Sequence, residues 1–166
     1  GSSGGAALTS PVVHGYAGGS MESGSPYRGG GGGGAGEAGN TDGQSAGGDG
    51  LASTITGSSV VRGGGGGAGG DGSLNPAGEG GGANGVTYAS GSHPAHATAN
   101  TGGGGGGGAS RSYNKNGSSG GSGVIILRYP NGYSITFGAG VTGTESATGS
   151  DKYAVITAGT GTVTWS

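Results

Sequence analysis

Side chains suited to ligand binding concentrate in one stretch, residues 110–116, which reads SRSYNKN. It contains Arg111, Tyr113, Asn114 and Lys115. Tyr buries a large area with little loss of side-chain entropy, Arg forms directional hydrogen bonds, and Asn adapts to donors or acceptors. The stretch therefore predicts a contact surface for a partner. The alternative is that Tyr113 packs locally on the glycine-rich segments around it.

The same residue types recur at other places between the glycine runs. Tyr27 and Arg28 are adjacent, Tyr88 stands in GVTYASG, and His93 and His96 stand in SHPAHA. Each of these side chains is a candidate contact residue on a binding surface. A single Tyr in such a place either packs on glycine or binds a partner, and the sequence leaves both open.

Metal binding and catalysis find little support in the sequence. His93 and His96 lie on either side of Pro94, which disfavours a helix that would place both on one face, and no third ligand is close in sequence. No phosphate-binding GxxxxGK[ST] motif occurs, and nothing marks an activated nucleophile. We expect no catalytic residue, no metal site and no cofactor, and hence a protein that is not an enzyme.

The overall composition excludes further classes. Glycine makes up 52 of the 166 residues, the formal net charge is −2 and cysteine is absent. Disulfides and zinc–thiolate sites are therefore excluded. The weak acidic charge gives no basis for binding nucleic acid, and no apolar run is long enough for membrane insertion. The chain begins with Gly1 instead of Met, which predicts a processed product or a fragment.

Runs of pure glycine punctuate residues 1–123, the longest at 102–108. Their composition is that of a linker, but glycine can also form a left-handed helix whose outward N–H and C=O groups bond to packed neighbours. We predict a fold that is mostly irregular by standard classes, a bundle of packed polyglycine II helices with polar loops over 1–123. Collagen needs a strict Gly-X-Y period, and a calcium-binding β-roll needs a tandem nine-residue repeat; neither occurs.

Residues 124–166 form a second compositional region, which holds seven of the 52 glycines. The apolar run VIILRY begins it and stops at Pro130, and Asn131-Gly132 is a turn signal. Alternating apolar and polar residues follow in YSITF, KYAVIT and TVTW. The region predicts a small all-β segment of short strands.

Four stretches carry a resemblance to a known family: RGGGGGGAG from Arg28, RGGGGGAGG from Arg62, GGSGVIILRYP ending at Pro130, and the C-terminal TAGTGTVTWS. Together they resemble the glycine-rich domains of bacteriophage tail fibres and minor tail proteins. The nearest functional analogue is the tail-fibre tip adhesin of T-even-like phages. In that adhesin, polyglycine II helices form a sandwich, and variable loops between them contact the bacterial receptor.

The resemblance implies a virion location, on an extracellular tail fibre, and a role in host attachment. The implied partners are a bacterial surface protein or glycan, and other tail-fibre subunits or further copies of the chain. Two other functions remain open. A self-assembling extracellular filament suits a glycine lattice, and an ice-binding protein would need a regular array of Thr or Ala on one face.

Overall fold

The computed structural model describes residues 15–25, 27–71, 75–88, 95–109 and 115–166. Within them the chain forms seven strands and no helix, so no helix of a length and apolarity that could cross a membrane occurs there. The strands are β1 (Leu51–Ser53), β2 (Val60–Arg62), β3 (Ile125–Pro130), β4 (Ile135–Phe137), β5 (Val141–Thr148), β6 (Asp151–Gly159) and β7 (Val163–Trp165).

The chain divides into two compact units. The first comprises Gly1–Ala52 and Val61–Ser122, and the second comprises Ser53–Val60 and Gly123–Ser166. β1 and β2 pair with each other in a two-stranded sheet. All the other strands belong to the second unit.

The second unit contains a three-stranded sheet in the order β3–β6–β5 and a two-stranded sheet of β4 and β7. All of its pairings are antiparallel, with Leu127 opposite Ala154 in β3–β6 and Thr136 opposite Thr164 in β4–β7. β3, β4, β6 and β7 coincide with segments rich in Val, Ile, Thr and aromatic residues, the types that fit a pleated surface. Pro130 ends β3, since proline has no N–H to donate to the ladder.

A hydrogen-bonded network around Glu145 joins the strands of the second unit. The Tyr129 hydroxyl donates to one carboxylate oxygen of Glu145, the Ile135 N–H donates to the same oxygen at 3.3 Å, and Lys152 Nζ lies 3.2 Å from the other. The Tyr129 ring is buried and meets Trp165 edge to face, with ring centroids 4.8 Å apart. One carboxylate thus contacts β3, β4 and β6.

Lowering the pH is expected to destabilise the second unit. The hydrogen bond from Tyr129, followed by that from Lys152, holds the pKa of Glu145 below its usual value. A carboxyl group with a lowered folded-state pKa stabilises the fold above its unfolded pKa, and this stabilisation is lost as the pH falls through the folded pKa. Denaturant unfolding followed by Trp165 fluorescence from about pH 7 to about pH 3 checks this.

A variant and a second pH range test this assignment further. Glu145→Gln should flatten the acid limb of the curve, and an unchanged limb in this variant would assign the acid sensitivity to another group. At the alkaline end, burial, followed by the bond to Glu145, raises the pKa of Tyr129 to about 12. Stability should therefore also decline above about pH 10, where the unfolded tyrosine ionises first.

The first unit is organised by its glycine tracts, which belong to no strand. The central tract, residues 63–70, exchanges main-chain hydrogen bonds of 2.8–3.3 Å with other segments of the same unit. These segments are residues 29–35, 45–48, 76–78, 80–86 and 101–107. Its buried apolar side chains are small, mostly alanines together with Val86. The main chain therefore replaces the side-chain core of an ordinary domain.

The predicted bundle of packed polyglycine II helices is wrong as the fold class. The described residues contain no helix, and the regular elements are strands in antiparallel sheets, which makes the fold β-rich. Regular ladders form where β-branched and aromatic side chains stabilise a pleated surface. The prediction treated the glycine runs as the defining regular element, whereas the defined elements lie in and beside the side-chain-rich segments.

Candidate functional site

Three of the candidate contact residues lie together at one end of the central tract. Gly70 is the point where their segments meet, since it bridges Arg28 in an antiparallel sense and Thr87 in a parallel sense. Its φ is +148°, and an added Cβ would lie 2.5 Å from the Tyr27 carbonyl oxygen. Glycine at position 70 therefore allows the Tyr27–Arg28 segment to approach closely, and Gly70 bridges this segment to the one that carries Tyr88.

Asp71 fixes the Tyr27–Arg28 pair. The Tyr27 N–H donates to Asp71 Oδ2 at 3.2 Å, the Asp71 N–H donates to the Tyr27 carbonyl at 2.8 Å, and Arg28 Nε donates to the Asp71 carbonyl at 2.8 Å. The guanidinium is thus held by its Nε, and its terminal nitrogens make no hydrogen bond to a described residue. A restrained Arg loses less conformational entropy when it binds a ligand.

These residues line an open cavity of about 250 Å³, which we call the Tyr–Arg cavity. Its walls combine two tyrosines, one arginine and one methionine with main chain from several glycine tracts. The lining residues are Met21, Tyr27, Arg28, Gly29, Gly69, Gly70, Tyr88, Gly108 and Ala109. None of these described residues is an acid, a histidine or a serine, and together they present aromatic, cationic and main-chain groups suited to binding.

The other candidate residues are placed differently. His93, Arg111, Tyr113 and Asn114 lie outside the described residues. Lys115 forms a main-chain bridge with the cavity residue Ala109, with N···O distances of 2.8 and 3.0 Å, so the main chain of Lys115 lies next to a residue of the cavity wall.

His96 does not line the Tyr–Arg cavity. Its Nδ1 accepts a hydrogen bond from the Ser119 N–H at 3.0 Å, and this bond holds two segments of the first unit together. The structure therefore gives this imidazole a local packing contact.

Two features were not indicated by the sequence. Met21 lines the cavity, although no pattern around it marks a binding residue. Glu37, Asp42 and Asp49 place one carboxylate oxygen each within 4.8 Å of one another. Their spacing in sequence matches no metal motif, and Asp49 already accepts a hydrogen bond from the Glu79 N–H at 2.6 Å. We assign no metal to this acidic group.

Comparison with known protein families assigns most of the chain to one family. A family model described as a glycine-rich domain matches residues 1–130. The chain belongs to this glycine-rich domain family. Neither the curated proteins nor the solved structures yielded a match. The family match covers the Tyr–Arg cavity completely, so the cavity is a feature of the glycine-rich domain itself.

Proposed function

We propose that the protein is a receptor-binding component of a phage tail fibre, in which the glycine-rich domain presents the Tyr–Arg cavity to the host-cell surface. The observation that carries this proposal is the convergence of Tyr27, Arg28 and Tyr88 on one open cavity. Tyr and Arg are the residues that contribute most energy to protein interfaces.

The size of the cavity restricts what it accepts. Its volume of about 250 Å³ lies below the usual range for drug-sized ligands, about 300–1,000 Å³. A single sugar ring or one protruding side chain is the size that fits. The flat tyrosine rings suit the apolar face of a sugar, and the guanidinium suits a hydroxyl or carboxylate group. A bacterial surface glycan or protein supplies either chemistry.

The main-chain lattice of the first unit also supports the proposal. The tracts behind the cavity are joined by hydrogen bonds in several directions, and the Gly29 N–H, which donates to the Gly69 carbonyl oxygen at 3.1 Å, ties two parts of the cavity wall together. A cavity that is already formed in the free protein loses less entropy when it binds. Attachment from the tip of a fibre depends on such a preformed contact surface.

Replacing Tyr27 and Arg28 together with Ala is expected to reduce binding to susceptible bacterial cells at least tenfold, since truncating interface Tyr and Arg side chains costs about 2 kcal/mol each. The measurement is flow cytometry of the labelled chain on a panel of strains. Tyr133→Ala is the matched control, because Tyr133 is 55% exposed and Tyr27 is 54% exposed, but Tyr133 does not line the cavity. Equal loss in both variants would contradict the proposal.

A further inference from the structure

The amide groups of the central tract fall into three rows. Every third N–H, from residues 64, 67 and 70, donates to residues 80, 83 and 86. The next row, from residues 65 and 68, donates to residues 48 and 45. The third row comes from residues 63, 66 and 69: the Gly63 amide donates to the Thr101 carbonyl oxygen at 2.9 Å, whereas the Gly66 and Gly69 amides donate to no described residue.

Gly66 and Gly69 both line an open groove of about 480 Å³, which we call the glycine groove. Residues 65–69 lie along it, flanked by residues 29–33 on one side and 104–108 on the other. Among the described residues that line the groove, every one is a glycine except Ala68. Gly66 is a buried residue and Gly69 is half-buried, and a main-chain N–H in such a place is stabilised when an acceptor pairs with it.

The flanks of the glycine groove add acceptors. The carbonyl oxygens of Gly30, Gly33, Gly105 and Gly108 accept no N–H or O–H hydrogen bond from the described residues. The groove therefore combines unpaired donors with unpaired acceptors. An anion could use only the donors and a cation only the acceptors, whereas a peptide main chain offers both kinds of group in every residue.

Only a chain without side chains can approach the tracts as closely as they approach one another. An ideal Cβ on Gly66 would lie 2.0 Å from the Gly105 carbonyl oxygen, and one on Gly65 would lie 2.2 Å from the Gly32 carbonyl oxygen. These distances are shorter than any real contact between a carbon and an oxygen atom that are not bonded to each other. A segment that accepts hydrogen bonds from the Gly66 and Gly69 amides at the same close approach must therefore be a glycine tract.

We propose that the glycine groove binds a glycine-rich segment of a second copy of this chain. The chain is the partner that best matches this chemistry, because it carries 52 glycines in repeated runs. The part of the chain that the structure describes places no charged residue in the lining of the groove, so these residues do not make two copies repel each other. The contact would continue the hydrogen-bonded lattice from one copy to the next. The glycine groove adjoins the Tyr–Arg cavity through the shared residues Gly29, Gly69 and Gly108, but no aromatic or charged residue is among its described lining residues.

The test introduces one methyl group into the groove. Gly32 is exposed, and its Cβ would lie 3.3 Å from the Gly66 nitrogen, so Gly32→Ala covers the Gly66 amide without a severe clash. Gly120→Ala is the matched control: Gly120 is also exposed, its Cβ would lie 3.2 Å from the Gly103 carbonyl oxygen, and it is not part of the groove. Sedimentation equilibrium up to ~1 mM, which detects even weak dimers, measures association.

The wild type and Gly120→Ala should associate with increasing concentration, and Gly32→Ala should associate at least tenfold more weakly. A monomeric wild type over the whole range overturns the proposal. Equal association of all three chains, or equal loss in both variants, also overturns it. If the circular dichroism spectrum shows that Gly32→Ala does not fold, a competition experiment on the wild type replaces it. Hexaglycine should then dissociate the wild-type complex, and free glycine at the same residue concentration should not. Failure of hexaglycine to dissociate the complex would overturn the proposal.

Discussion

Gly65→Ala should lower the unfolding free energy of the first unit by about 3 kcal/mol, the upper end of what one added methyl costs in a packed interior. Gly65 is buried, and its Cβ would lie 2.2 Å from the Gly32 oxygen and 2.8 Å from the Gly32 carbonyl carbon. Both atoms are main chain, so a rotamer change cannot relieve the clash. The tracts must move apart, and the bonds of Gly65 to Gly48 and Gly78 lengthen with them.

Hydrogen exchange read by mass spectrometry measures this effect, because the main-chain amides of the glycine tracts are themselves the stabilising groups. Protection should fall across residues 29–35, 45–48 and 63–70 together. The same methyl placed at Gly120 meets main chain only at 3.2 Å and should leave protection nearly unchanged. Full protection of the three tracts in Gly65→Ala would show that close main-chain approach does not hold the unit together.

Tyr129→Ala is expected to cost the second unit about 3–5 kcal/mol, the range for removing a large aromatic side chain from a core. Tyr129 is 5% exposed, and among the described residues of this unit only Ala154 is another buried apolar residue. The substitution removes the edge-to-face contact with Trp165 and the hydroxyl that donates to Glu145. A unit with so small a core has nothing to replace these contacts.

Trp165 is the only tryptophan, so its fluorescence during denaturant unfolding reports on this unit directly. Tyr129→Phe separates the two contributions, because it keeps the ring against Trp165 and removes the hydrogen bond to Glu145. We expect this variant to be less damaged than Tyr129→Ala. Equal loss in both would assign the stability to the hydroxyl alone, and no loss in Tyr129→Ala would refute the central position of this ring.

The sequence indicates the strands that carry their own side-chain signal and misses the others. YSITF and TVTW alternate, and they include β4 and β7. β5 reads VTGTESAT, with few apolar residues and a glycine at 143. It is a strand because β6 pairs with it and because Glu145 within it contacts Tyr129 and Lys152. Those stabilising contacts come from other parts of the chain, so the local pattern could not reveal them.

The candidate functional site also combines features that the sequence indicates with features that it does not. Tyr27 and Arg28 are neighbours in sequence and could be recognised as a pair, but Tyr88 joins them only because Gly70 bridges both segments. No side chain marks which glycine tract bonds to which, since a glycine at position 65 and one at position 105 are chemically identical. The sequence therefore indicated that glycine tracts matter and gave no information on their partners or on the unpaired row at Gly66.

The hydrogen bonds of the central tract repeat every third residue, and this repeat has an evolutionary consequence. Glycine-coding repeats lengthen and shorten readily when DNA polymerase slips. A change of three residues in a tract returns each amide to the direction it faced before, whereas a change of one or two turns every later amide toward the wrong neighbour. Tract lengths among relatives should therefore differ mainly by multiples of three, and the joining segments can diversify while the lattice persists.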